Sequence, residues 1–224
     1  MTTLHDPQDR LALGRLHDHA FLTLPPTPPA APAAPTGDPS LLGLPTFVVG
    51  SFALGMAQVG YLPAAAAAGI LPIVLAATGL GLLLSTVWAA RLGQSTVAGI
   101  FGVFAGFWLS DAVLGLGLAH GWFAVPEADV TRVVGLYLIS WAAVIGLLTV
   151  STVRLPAAFT LLLGLVTVAL TLAALGALLP STSLAKVGGV VVLAFAALGA
   201  YLFVGASDAA LGGPGYPLGR PLQR

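Results

Sequence analysis

Six nearly continuous apolar runs follow one another through this chain: Leu41–Tyr61, Ala65–Ala90, Thr96–Leu118, Thr131–Val150, Ala157–Leu179 and Leu184–Gly205. A helix needs roughly 20 apolar residues to cross the hydrocarbon core of a bilayer, and each run has about that length. The breaks between them are sharp. Pro63 closes the first, and Arg91, Gly93 and Gln94 close the second. His120, Gly121 and the loop with Pro126, Glu127 and Asp129 follow the third, Arg154 and Pro156 the fourth, and Pro180 the fifth. Strands of a membrane barrel alternate apolar and polar residues over about ten positions, and these runs do not alternate. Backbone groups inside lipid must be satisfied within their own segment, which a helix achieves. The pattern predicts an all-α integral membrane protein, with six transmembrane helices per protomer forming a helical bundle.

Composition agrees. Apolar residues make up 58% of the 224-residue chain and charged ones 7%, against about 25% charged in ordinary soluble domains. So few charges cannot coat a water-exposed surface of this size. The formal net charge is zero and no basic stripe is present, which excludes a nucleic-acid partner. Cysteine is absent, so there is no thiolate nucleophile or thiolate metal ligand. The histidines are His5, His17, His19 and His120, none deep in a run. No nucleophile elbow, phosphate-binding loop or zinc-ligand helix motif is found. No catalytic, cofactor or metal site is predicted, and the chain does not read as an enzyme.

Three regions follow. Residues 1–40 read as a disordered cytoplasmic tail rich in Pro and Ala, because Pro25, Pro26, Pro28, Pro29, Pro32 and Pro35 forbid regular helix. The first 20 residues mix acidic, basic and histidine side chains and lack the apolar stretch of a signal peptide. Residues 41–206 form the transmembrane domain, and 207–224 a polar cytoplasmic tail. Arg10, Arg15, Arg91, Arg154, Arg220 and Arg224 fall on one side, with Arg132 and Lys186 on the other. The bias of basic residues toward the cytoplasm predicts both termini inside, with the protein multi-pass in the cell membrane.

Polar side chains inside the runs are the candidates for function. Asp111 lies in the third run, where a central carboxylate costs roughly 2.5–3.5 kcal/mol on insertion scales and usually faces a cavity or a partner. Phe104, Trp108, Asp111 and Gly115 share one helical face, which lines a path if that face turns inward. Alternatively Asp111 sits near the outer water boundary, about two turns from the end of its run. Ionised, it would repel a passing anion. Protonated, it would donate one hydrogen bond to a carboxylate. Gln58, Tyr137 and Tyr201 are further candidates for a path lining, whereas Ser51, Ser85, Thr86, Ser140 and Thr167 fit ordinary helix hydrogen bonding. Tyr61, Trp88 and Trp122 sit at run ends, as interfacial aromatics do.

Several motifs, taken in order, resemble one known family. Asp38-Pro39-Ser40-Leu41-Leu42-Gly43-Leu44 resembles the Asn-Pro-Ala-Pro-Leu-Gly-Leu signature of the acetate uptake transporter family, the acetate/succinate permeases. Gln58-Val59-Gly60-Tyr61, Leu92-Gly93-Gln94-Ser95-Thr96, Phe107-Trp108-Leu109-Ser110, and Gly135-Leu136-Tyr137-Leu138 with Trp141 resemble its later motifs. Tyr201 and Tyr216-Pro217-Leu218-Gly219 resemble its close. The chain is identified as a divergent member.

The resemblance implies a six-helix protomer in a homohexamer, embedded in lipid. It also implies passage of acetate or related small monocarboxylates, and of succinate in some members, by a proton-coupled or anion-channel mode. It implies a constriction of Phe, Tyr and Leu, whose positions carry Phe47, Phe104 and Val166 here. The family's Tyr hydroxyl is thus missing. Ala57, Ala89 and Ala206 replace polar or acidic residues of relatives, and Asp111 replaces an apolar one. Two other readings stand beside this one: a channel for another small solute such as ammonium or ammonia, and a membrane scaffold that transports nothing.

Overall fold

The computed structural model describes residues 36–179 and 181–223. The proline-rich tail expected over 1–40 falls almost wholly outside the described residues. Within them the chain is all-helical, with six segments long and apolar enough to cross a membrane. These are α1 (Ser40–Val59), a second span Ala64–Arg91 that ends in α2 (Leu80–Arg91), α3 (Ser95–Ala119), α4 (Glu127–Ser151), α5 (Ala157–Leu178) and α6 (Thr182–Ala210).

Local chemistry sets the ends. Asp38 Oδ1 accepts hydrogen bonds from Ser40 N at 2.9 Å and Ser40 Oγ at 2.6 Å, satisfying a donor at the start of α1. Gly60 stops α1 with φ 94°, a left-handed conformation that favours glycine. Pro126 precedes α4, and Glu127 and Asp129 occupy its first turn, where the helix dipole favours negative charge. That is why α4 begins ahead of the apolar run that starts at Thr131. At the other extreme α6 carries Ser207 and Asp208 in its last turns and runs on to Ala210.

The second span is not one continuous α-helix. It opens as a 3₁₀ turn, Ala64–Ile70, and passes into a π-helical stretch, Ile73–Gly79, before becoming α2. Pro72 precedes the π stretch and lacks the N–H that an α-ladder needs. The wide turn sets Thr78 against Gly50 of α1, so close that a side chain at Gly50 would strike the Thr78 hydroxyl.

In lipid, helices associate by close packing rather than by escape from water, and small residues at the contacts allow it. α1 packs mainly on α6, α5 lies against both α4 and α6, and α2 lies against α3. The core between them is aromatic: Phe47, Phe101, Phe104, Phe107, Trp108 and Phe195 are all buried. α4 contributes least to it, with Leu136, Leu147 and Val150 more than two-thirds exposed, an apolar face suited to lipid.

Candidate functional site

The start of α1 and the α2–α3 and α4–α5 turns lie at the same end of the bundle as the last residues of the chain. A largely apolar cavity of about 530 Å³ lies there, lined by Asp38, Leu44, Phe101, Phe159, Leu202 and Tyr216 among others. Gly43 is part of its architecture: a side chain there would collide with the ring of Phe101. Gln94 Nε2 donates to Gly37 O at 3.2 Å and ties the α2–α3 turn to the entry of α1.

The residues after α6 fold back over this cavity. The Tyr201 hydroxyl donates to Pro217 O at 2.8 Å, and Gly215 N donates to Asp208 Oδ2 at 3.0 Å. Ala158 N donates to Leu218 O and Leu222 N to Val153 O, each at 3.0 Å. Pro214, Gly215, Tyr216 and Leu218 thereby become part of the cavity wall.

Deeper in the bundle is a second, smaller chamber of about 60 Å³. Phe47 and Phe104 border both spaces. Their rings meet edge to face with centroids 5.1 Å apart, and Phe195 extends the cluster at 5.6 Å from Phe47, within the range where aromatic pairs attract. Val166 lines the chamber from α5.

Gln58, Trp108 and Asp111 supply the chamber's polar groups, among Leu54, Leu138, Leu170 and Val192. Two of them hold buried atoms with no hydrogen-bond partner among the described residues: Gln58 Oε1 and Trp108 Nε1. Trp108 itself is only 1% exposed. The neighbours of Asp111 are engaged elsewhere. Ser110 Oγ donates to Gly106 O at 2.7 Å, and the Tyr137 hydroxyl donates to Phe107 O at 2.8 Å.

The model of one family, described as the GPR1/FUN34/yaaH family, matches residues 22–209. This chain belongs to the GPR1/FUN34/yaaH family. Membership bears out the resemblance carried by the motifs. Among curated proteins the chain is similar to "Accumulation of dyads protein 2" of Saccharomyces cerevisiae, 30% identical over 174 residues, which are 71% of this chain and 58% of that protein. The chain thus spans little more than half the length of that relative. Among solved structures its fold is similar to that of the bacterial acetate channel SatP, with TM-score 0.73, 20% identity, and coverage of 83% of this chain and 100% of that one. The likeness shows a shared six-span fold.

On this family fold, the residues singled out from sequence separate into groups. Phe47, Phe104 and Val166 come together at one level of the bundle, and Gln58, Trp108 and Asp111 join them around the chamber. Asp38 and Leu44 of the signature border the wide cavity, and Pro39 and Gly43 are buried beside them. Leu42 is part-buried, and its carbonyl accepts from Thr46 Oγ1 at 2.9 Å. Tyr137 and Tyr201 line neither space. Tyr137 bonds the α3 backbone and stacks on Phe107, and Tyr201 anchors the returning chain. The span hydroxyls bond their own helices: Ser51 to Phe47 O, Ser85 to Gly81 O, Thr86 to Leu82 O.

Two lining residues had no site role in the sequence reading. Phe195 sits in an apolar run with nothing to mark it from its neighbours, and Tyr216 lies in what read as a polar tail.

Proposed function

We propose that this protein carries acetate and related small monocarboxylates across the cell membrane, along a path from the wide cavity, past the Phe47–Phe104 wall, into the small chamber. The observation that carries this reading is the shared position of the two rings. Both border the wide cavity and the chamber, so a solute passing between the spaces must displace them or slip beside them. A narrow apolar barrier excludes water and bare ions until it opens, while the methyl group of acetate is at home against phenyl rings. The likeness to the bacterial acetate channel SatP supports the same substrate class.

The reading extends to a homohexamer with both termini cytoplasmic, residues 41–206 as the transmembrane domain and 1–40 and 207–224 as its flanking tails. It includes passage in a proton-coupled or channel-like mode, with succinate as a further substrate. The test is uptake of radiolabelled acetate by the purified protein in liposomes, with and without a pH gradient. Acetate anion concentration is held fixed, because the undissociated acid crosses lipid unaided. Saturable uptake above that of protein-free liposomes is expected; uptake equal to theirs would overturn the reading.

A further inference from the structure

The start of α1 forms part of the wall of the wide cavity, through Asp38 and Ser40. A helix N-terminus is ordinarily a place for an anion, because its free N–H groups and the helix dipole both favour negative charge. In this chain the place is taken. Ser40 N and Ser40 Oγ donate to Asp38 Oδ1 at 2.9 and 2.6 Å. Leu41 N donates to Asp38 O at 3.1 Å, and Leu42 N and Gly43 N donate to Pro39 O at 3.2 and 2.9 Å. A solute carboxylate arriving here finds those N–H groups engaged and a fixed carboxylate of the protein beside them.

Asp38 is the one charged residue of that wall. The other polar side chains of the lining are Ser40, Thr96 and Tyr216, and it includes no Lys, Arg or His. Asp38 is exposed and makes no ion pair among the described residues, where the one such pair joins Arg132 to Asp129. Arg91, Arg154 and Arg220 belong to the same end of the bundle, but none of them lines the cavity. They draw anions toward that end as a whole, whereas Asp38 acts on what enters the cavity. Coulomb repulsion is proportional to the charge of the solute, so a dianion is opposed twice as strongly as a monoanion at the same distance.

We infer that Asp38 is a specificity-determining residue of the solute path, whose carboxylate at the mouth of the wide cavity opposes dicarboxylates more than monocarboxylates. The inference rests on the reading of that cavity as the mouth of a carboxylate path, and it names the members of the substrate class that the mouth disfavours. Asp38 acts through space on the approaching charge, and its hydrogen bonds to Ser40 hold the carboxylate in position.

Asp38→Asn separates the two duties of the side chain: an amide oxygen still accepts from Ser40, so the cap is kept and only the charge is lost. Initial uptake of labelled acetate and labelled succinate by the purified protein in liposomes is measured at neutral pH, where succinate is a dianion. Low salt is compared with about 1 M salt, where the screening length is about 3 Å. For a solute charge about 8 Å from the carboxylate across water, the variant should take up acetate about two-fold faster and succinate about four-fold faster at low salt, and both gains should vanish at high salt. A second readout needs no transport. The chain has no cysteine, and Thr96 is an exposed residue of the cavity wall. Thr96→Cys protein in nanodiscs of neutral lipid is treated with a trimethylammonium thiosulfonate and with a sulfonate thiosulfonate, each rate divided by that with free cysteine. Adding Asp38→Asn should lower the cation-to-anion ratio of these rates about four-fold at low salt and leave it unchanged at high salt. An unchanged ratio at low salt overturns the inference. So do equal gains for acetate and succinate, gains that persist at high salt, and succinate uptake absent from the variant as well. An Asn variant that matches the parent while Asp38→Ala does not makes Asp38 a cap only, and does the same. Absence of acetate uptake by the parent protein strikes instead at the transport reading, and the thiol rates still decide the charge of the mouth.

Discussion

The ring of Phe104 on α3 stands edge-on to the ring of Phe47 on α1, 5.1 Å between centroids at 70°, and this pair is the only aromatic contact whose two members both border the wide cavity and the chamber among the described residues. Phe104→Ala should join the two spaces. It should raise acetate leak and admit longer acids such as butyrate, at a stability cost of about 3 kcal/mol from the void left behind. Phe47→Ala should act in the same direction. Liposome uptake of acids of increasing length, on protein that remains monodisperse, measures this. Unchanged flux and selectivity in both variants would remove the pair from the gate.

Gly43 is held under the ring of Phe101 with no room for a side chain. Gly43→Ala should destabilise the protein by about 1–3 kcal/mol, the usual range for overpacking, and should narrow the wide cavity from the same contact. Gly99, on the same helix as Phe101, has open space around it, so Gly99→Ala should be neutral or stabilising by up to about 1 kcal/mol. Thermal unfolding in detergent compares the two, and equal effects would contradict the packing account.

The returning chain after α6 is tied by the Tyr201 hydroxyl and by the Asp208 carboxylate. Tyr201→Phe removes one hydrogen bond and should loosen residues 214–222. Hydrogen exchange at the amides of Ala158 and Leu222, which bond across this segment, should quicken roughly five-fold, as expected for about 1 kcal/mol. Unchanged exchange there would show that the tail is held by packing alone.

The proposed orientation has a direct check, since the sequence has no cysteine. A single cysteine introduced at Thr36 should resist a membrane-impermeant maleimide in intact cells and react after the cells are opened. Labelling in intact cells would reverse the assignment of both termini.

The number and order of the spans were legible because bilayer thickness imposes a run length that the sequence displays openly, and prolines or charges mark every break. Helix boundaries were less so. Ser207 and Asp208 read as the start of a tail, yet a helix end reaching water keeps polar residues without penalty, and α6 continues to Ala210. The interruption of the second span was hidden as well, because Pro72 is surrounded by apolar residues and only the backbone shows the wide turn that follows it. The level at which Phe47, Phe104 and Val166 meet came from family resemblance, and the helical face of Phe104, Trp108 and Asp111 came from spacing alone. Phe195 did not emerge from either, and Tyr216 emerged only within the closing motif, with no site role attached to it. An apolar residue carries no sign of which way its helix face turns, and a returning tail is fixed by hydrogen bonds between residues distant in sequence.

The fold-back of residues 214–218 has a consequence for how the wide cavity is completed. The segment follows α6 and belongs to none of the six spans, so every span could be packed while it is still undocked. The wide cavity gains part of its wall only when Pro214, Tyr216 and Leu218 dock beneath α6 and against the start of α5. Completion of this cavity therefore takes a docking step that the packing of the six helices does not include. A chain cut short before Tyr216 would keep every span and still lack a finished mouth.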